Sequence, residues 1–136
     1  MSVLLDTHVW VWWLTRGSRL SRLELKGLDA EAEQGKIFLA SISLWEVQML
    51  HAKGRLELPL SFPEWLERAA APRMLSLVPL DVDVVLALSK LPRSFHGDPA
   101  DRVIVATARA HALPLATRDS NIRRSRAVPL WKPRGR

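Results

Sequence analysis

The chain has 136 residues, 48% of them hydrophobic and 25% charged, and 20 Lys+Arg against 14 Asp+Glu leave a formal net charge of +6. That length suits one domain, 1–136, with a basic tail from about residue 132 and enough chain to bury a sizeable core. The absence of cysteine excludes disulfides, thiolate metal sites and cysteine nucleophiles, and fits a reducing cytoplasm.

No apolar run approaches the roughly 20 residues of a membrane span. Met1 to Leu14 is apolar, but it has no basic leader, carries Asp6 and lacks a small-residue cleavage site, so no signal sequence is expected.

Val3-Leu4-Leu5 predicts a first strand, closed by Asp6, with a helix over His8–Leu14 directly after it. Leu23–Gln34 predicts a second helix ending near Gly35, and Ile37–Ala40 a second strand. Ser43-Leu44-Trp45-Glu46 has the pattern of a capping box, in which Glu46 would reach back to the Ser43 amide, and its helix should stop at Gly54. Ser61-Phe62-Pro63-Glu64 is a second such box, with proline inside the first turn, opening a helix to about Ala71. Leu75–Pro79 reads as a strand and Asp81–Leu91 as a helix ending before Pro92.

Asp98 is the expected N-cap of Pro99–Ala112, whose Val103, Ile104, Thr107, Ala108 and His111 form an apolar face at helical spacing. Leu115–Thr117, a short helix Asn121–Arg124 and a further candidate strand Val128–Trp131 complete the series. Short apolar strands alternating with helices predict an α/β fold with a largely parallel sheet covered on both faces. Ligands of such sheets bind beyond the carboxyl ends of the strands.

Four carboxylates sit where apolar runs stop: Asp6, Glu46, Asp101 and Asp119. A charge against an apolar core loses on the order of several kcal/mol of solvation unless it has a partner. If the fold gathers these acids, the natural partner is a hard divalent cation and the natural chemistry metal-assisted hydrolysis. Each has a local alternative. Glu46 and Asp101 fit the first turns of helices, Asp119 fits a cap of the last one, and only Asp6 lacks a propensity reason for its place. Arg16, Arg19, Arg22 and Lys26 form one basic cluster; Arg118, Arg123, Arg124, Arg126, Lys132, Arg134 and Arg136 form another, facing only Asp119. Such clusters serve solubility or a polyanion such as RNA.

Leu4-Leu5-Asp6-Thr7-His8, Ser43-Leu44-Trp45-Glu46-Val47, Asp98-Pro99-Ala100-Asp101-Arg102 with Ala106-Thr107-Ala108, and Thr117-Arg118-Asp119 follow one another in an order and spacing that resembles the PIN-domain ribonucleases. The likeness is greatest to the VapC toxins of bacterial VapBC toxin–antitoxin pairs, and it spans residues 3 to 131. It implies a parallel, about five-stranded sheet flanked by helices, an acidic pocket for one or two Mg²⁺ or Mn²⁺ ions, and cleavage of RNA. It also implies a homodimer and a VapB-like antitoxin partner. By this resemblance Asp6, Glu46, Asp101 and Asp119 are the catalytic acids. Asp6, Asp101 and Asp119 bind metal, and Glu46 does so directly or through water. With two acids three apart, Asp98 or Asp101 can be the nearer to the metal; the match of Asp101-Arg102-Val103 onward favours Asp101, with Asp98 as the cap behind it. Thr7 and Thr117 match hydroxyl residues beside the first and last acids.

Arg118 is placed to meet a backbone phosphate, whereas Arg102 is expected to pair with Asp101. His8 is nearest the site and is assigned packing in the first helical turn; the other histidines show no ligand spacing. Trp10 and Trp13 share a helix face that Trp12 does not, which leaves at least one ring near the surface or under a partner. Two other functions compete with the ribonuclease. One is a non-catalytic basic RNA-binding module whose acids only cap helices. The other is a phosphatase of the haloacid-dehalogenase type, weakened because His8 stands where the second acid of Asp-x-Asp would be.

Overall fold

The computed structural model describes residues 1–95 and 97–134. His96 and Arg136, the end of the basic tail, lie outside them. The elements run β1 (Val3–Leu5), α1 (Thr7–Thr15), α2 (Arg22–Glu33), β2 (Ile37–Ala40), α3 (Ile42–Ala52), α4 (Phe62–Ala69), β3 (Ser76–Val78), α5 (Val82–Ser89), α6 (Pro99–Ala110), β4 (Leu115–Ala116) and α7 (Ser120–Ser125). The strands form a parallel sheet in the order β3-β2-β1-β4.

Val128–Trp131 does not become a fifth strand. It makes a single parallel bridge, Leu130 to Leu115, with Leu115 N–H donating to Pro129 O and Trp131 N–H donating to Leu115 O. Pro129 has no N–H to extend a ladder, and Pro133 follows closely.

The strands alternate with period two between two cores, as residues on opposite faces must. Val3, Leu5, Ile37 and Leu39 join Trp10, Leu28, Val47 and Trp65 on one face. Leu4, Ala40, Val78 and Leu115 join Val84, Ile104, Val105 and Ile122 on the other. Trp10 and Trp13 bury one face of α1 as their spacing predicts. Their indole N–H groups donate to Ala69 O at 3.1 Å and Asp29 Oδ1 at 2.8 Å.

The helix limits follow local chemistry. Ser21 and Glu24 form a reciprocal capping box on α2, and Ser61 caps α4 with Pro63 in its first turn. Gly35 and Gly54, both with φ of 69°, lie just beyond the ends of α2 and α3, where a left-handed residue turns the chain out of the helix. His111 departs from the expected apolar face: α6 ends at Ala110, leaving His111 as an exposed C-cap while Ile104, Thr107 and Ala108 are buried.

Candidate active site

In the sheet, β1 lies between β2 and β4, so the helices that leave these three strands start side by side. Asp6, directly after β1, is the N-cap of α1. Its Oδ1 accepts from Thr7 N at 2.8 Å and its Oδ2 from Thr117 Oγ1 at 2.6 Å. The propensity reason that the sequence failed to offer for Asp6 is therefore a cap. Asp119, after β4, caps α7 by accepting from Ile122 N at 2.9 Å. Asp98 caps α6 by accepting from the Asp101 amide at 2.8 Å, as predicted.

Glu46 corrects its expectation. Helix α3 begins one residue before Ser43, with Ser41 as its N-cap and no side-chain capping bond. Glu46 does not reach back. Its Oε1 accepts from the buried Thr7 hydroxyl at 2.5 Å, and Thr7 Oγ1 lies 2.8 Å from Ser43 Oγ. Thr7 and Thr117 thus sit buried beneath the acids, each holding one carboxylate. Thr117 Oγ1 also accepts from the Asp119 amide at 3.0 Å, so one hydroxyl links Asp6 and Asp119.

Asp6, Glu46, Asp98, Asp101 and Asp119 line one cavity of about 650 Å³. Within it, carboxylate oxygens of Glu46, Asp98 and Asp101 all lie within 4.8 Å of one another. Asp98 therefore faces the cavity together with Asp101. Capping does not use up these acids, because each carboxylate has about four acceptor sites, and a cap takes one.

Their charges and their burial act together. Desolvation, followed by the charges of Asp6, Asp98, Asp119 and Glu46, pushes Asp101 up from 3.8 to about 7. Burial raises Asp6 above the ordinary carboxylate range, although the Thr117 and Thr7 hydrogen bonds pull the other way. Glu46 is likewise raised by burial and by Asp6 and Asp98. Carboxylates held together at this energetic cost form a hard-oxygen donor set suited to a divalent cation.

Arg118 lines the cavity but is paired: its Nη1 lies 2.8 Å from Glu24 Oε1. Arg102 does not pair with Asp101; its guanidinium donates to Phe95 O at 3.0 Å. His8 is exposed and packs its ring against Trp12, the local role assigned to it.

The sequence pointed to Ser43 only as a helix cap, and did not point to Arg55 or Gly97. Gly97 lies beside the Asp98 cap, where an added Cβ would fall 2.7 Å from the Phe95 ring and 2.9 Å from Asp101 Cβ. A glycine immediately before Asp-Pro was the available signal. Arg55 carried none.

A family model for the PIN domain matches residues 3–127. The chain belongs to the PIN-domain family. This PIN domain is 35% identical over 133 residues to ribonuclease VapC22 of Mycobacterium tuberculosis, covering 96% of this chain and 98% of the relative. Among solved structures it is similar to VapBC2 from Rickettsia felis bound to a promoter DNA fragment. That likeness has a TM-score of 0.70 and 17% identity over 96% of this chain and 98% of the other. FitAcB from Neisseria gonorrhoeae gives a TM-score of 0.69 at 23% identity over 96% and 97%. Both likenesses concern the fold: a single PIN-like α/β domain with a parallel sheet of four strands flanked by helices. No helix among the described residues is long and apolar enough to cross a membrane.

Proposed function

We propose that this PIN domain is a metal-dependent endoribonuclease, the toxin of a type II toxin–antitoxin pair. The observation that carries the reading is the convergence of Glu46, Asp98 and Asp101 within 4.8 Å, in a cavity also lined by Asp6 and Asp119. Identity of 35% to a named ribonuclease over nearly the full length of both chains supports the choice of RNA as substrate. The excess of six positive charges supports a polyanionic substrate in general.

The donor set fits Mg²⁺ or Mn²⁺, which Asp101, Glu46 and Asp98 would hold, with Asp6 and Asp119 lining the same cavity. When bound, such an ion acidifies a water and neutralises charge on the phosphodiester oxygens. The protein's own share is orientation. Thr117 fixes Asp6 Oδ2 and, through its contact with the Asp119 amide, the start of α7; Thr7 fixes Glu46 Oε1. Arg118, released from Glu24, can place a guanidinium on a flanking phosphate.

Two partners belong to this reading. A VapB-like antitoxin is supported by the solved structures of similar fold, which include VapBC and FitAB complexes. A homodimer is supported by an exposed apolar face: Val82, Val85 and Leu86 follow i, i+3, i+4 spacing on α5, with Leu77 and Leu80 just before it.

The test is cleavage of total cellular RNA by the purified protein with Mg²⁺, with Mn²⁺ and with EDTA, beside Asp6→Ala and Asp101→Ala. Cleavage that needs metal and is lost in both folded variants supports the reading. RNA binding without cleavage, unchanged by Asp6→Ala and with no metal effect on thermal stability, would leave a binding module instead.

A further inference from the structure

The acidic cavity has a second wall of different chemistry. Trp12 and His8, one helical turn apart on α1, line it together with Arg19 and Arg55. The two rings lie 5.5 Å apart with an interplanar angle of 42°. The Arg19 guanidinium carbon stands 5.5 Å from the Trp12 ring centroid, within cation–π range.

Trp12 differs from its neighbours on the same helix. Trp10 and Trp13 are buried and bind their indole N–H groups inside the protein. Trp12 is half-buried, packs one side against the core and, among the described residues, has no such tie. Salt bridges among the described residues engage Arg16 with Asp29 and Arg118 with Glu24, and leave Arg19 and Arg55 without a carboxylate partner. The Arg19 guanidinium is therefore held at the cavity by the Trp12 ring and not by a carboxylate, which leaves it able to exchange the ring for a phosphate.

A cation site acts on a phosphodiester linkage, which is the same at every nucleotide. Something beside it must hold the adjoining nucleoside. An aromatic ring with a displaceable arginine on it is suited to that role, because the guanidinium can swing from the ring to a flanking phosphate while the base takes its place on the ring face.

Resting on the ribonuclease reading, we propose that Trp12, with Arg19, is the base-binding surface of this site. It stacks the unpaired base beside the phosphate that the acids address, favouring purines through their larger face. The ring acts on substrate affinity and register, not on bond cleavage itself.

The experiment uses the full chain in an Asp101→Asn background, so that binding is read without turnover. Fluorescently labelled six-nucleotide oligoadenylate and oligouridylate are titrated by anisotropy, along with oligoadenylate carrying abasic sites. Trp12→Leu should weaken oligoadenylate binding by roughly five- to a hundredfold, the range that base-on-aromatic stacking supplies. Trp12→Phe should retain most of the affinity, and Arg19→Gln should lower it with a shallower salt dependence. Abasic sites should weaken binding to the parent and cost little further in Trp12→Leu.

If Trp12→Leu fails to fold, the abasic penalty in the parent and in Arg19→Gln carries the test. Undiminished binding by folded Trp12→Leu overturns the proposal, as does an abasic penalty of the same size with and without the ring. Unchanged RNA binding together with a weakened grip on a co-purified protein partner also overturns it, and assigns the ring to that interface. Parallel cleavage by the otherwise wild-type chain separates the two levels. RNA cut with an unchanged KM in Trp12→Leu refutes only the base-binding role, whereas a wild-type protein that cuts no RNA removes the ribonuclease reading.

Discussion

Removing the charge of Asp101 should stabilise the metal-free protein while abolishing its activity. Its carboxyl is raised from 3.8 to about 7, first by burial and then by four surrounding acids. The folded state thus holds this proton more tightly than the unfolded chain. Stability is lost as pH rises from about 4 through 7, because over that window the native state binds more proton than the unfolded one. A shift of about 3 units at about 1.36 kcal/mol each sets an upper limit near 4 kcal/mol. Water at the cavity mouth and readjustment of the neighbouring acids reduce this to about 1–3 kcal/mol.

Asp101→Asn keeps the shape and cannot ionise. In chelator at pH 7.5 it should melt about 3–10 °C above the parent, a difference that closes as pH falls toward 4. Mg²⁺ should then raise the parent's melting temperature and the variant's much less, since the variant offers a weaker donor set. Thermal unfolding at pH 4, 5.5 and 7.5, with EDTA and with Mg²⁺, measures all of this. A variant no more stable than the parent at pH 7.5 without metal would refute the electrostatic reasoning.

Thr117→Val deletes the hydroxyl that donates to Asp6 and receives the Asp119 amide. It should lower urea stability by about 1–3 kcal/mol and kcat by at least tenfold, with a smaller change in KM. Glu24→Gln keeps an oxygen for the Ser21 cap but releases Arg118 from its ion pair. RNA binding should tighten severalfold at low salt and the gain should fade as salt rises; unchanged affinity would show that Arg118 does not reach the substrate. The wild type should sediment as a dimer, and Leu86→Asp, on the 54%-exposed residue of α5, should sediment as a folded monomer. A dimer that survives the substitution places the interface elsewhere.

Much of this molecule follows from short stretches of sequence. Val3-Leu4-Leu5 and Ile37-Phe38-Leu39-Ala40 are strands because their residues pack on both faces of a sheet, and Gly35, Gly54 and the Ser61 and Asp98 caps limit the helices because capping is a contact within one turn. The acids at strand and helix ends were legible for the same reason. What each acid touches was not. Glu46 matches a capping box in sequence, yet α3 starts before Ser43, and its carboxylate goes to Thr7, 39 residues away. Arg102 turns to the Phe95 carbonyl and Arg118 to Glu24, because guanidiniums on long side chains take whichever acceptor the packing brings near. The strand order decided the site itself: setting β1 beside β4 brings Thr117 onto Asp6 across 111 residues of chain. Local propensity acts within a few residues, whereas that contact exists only once the two strands pair.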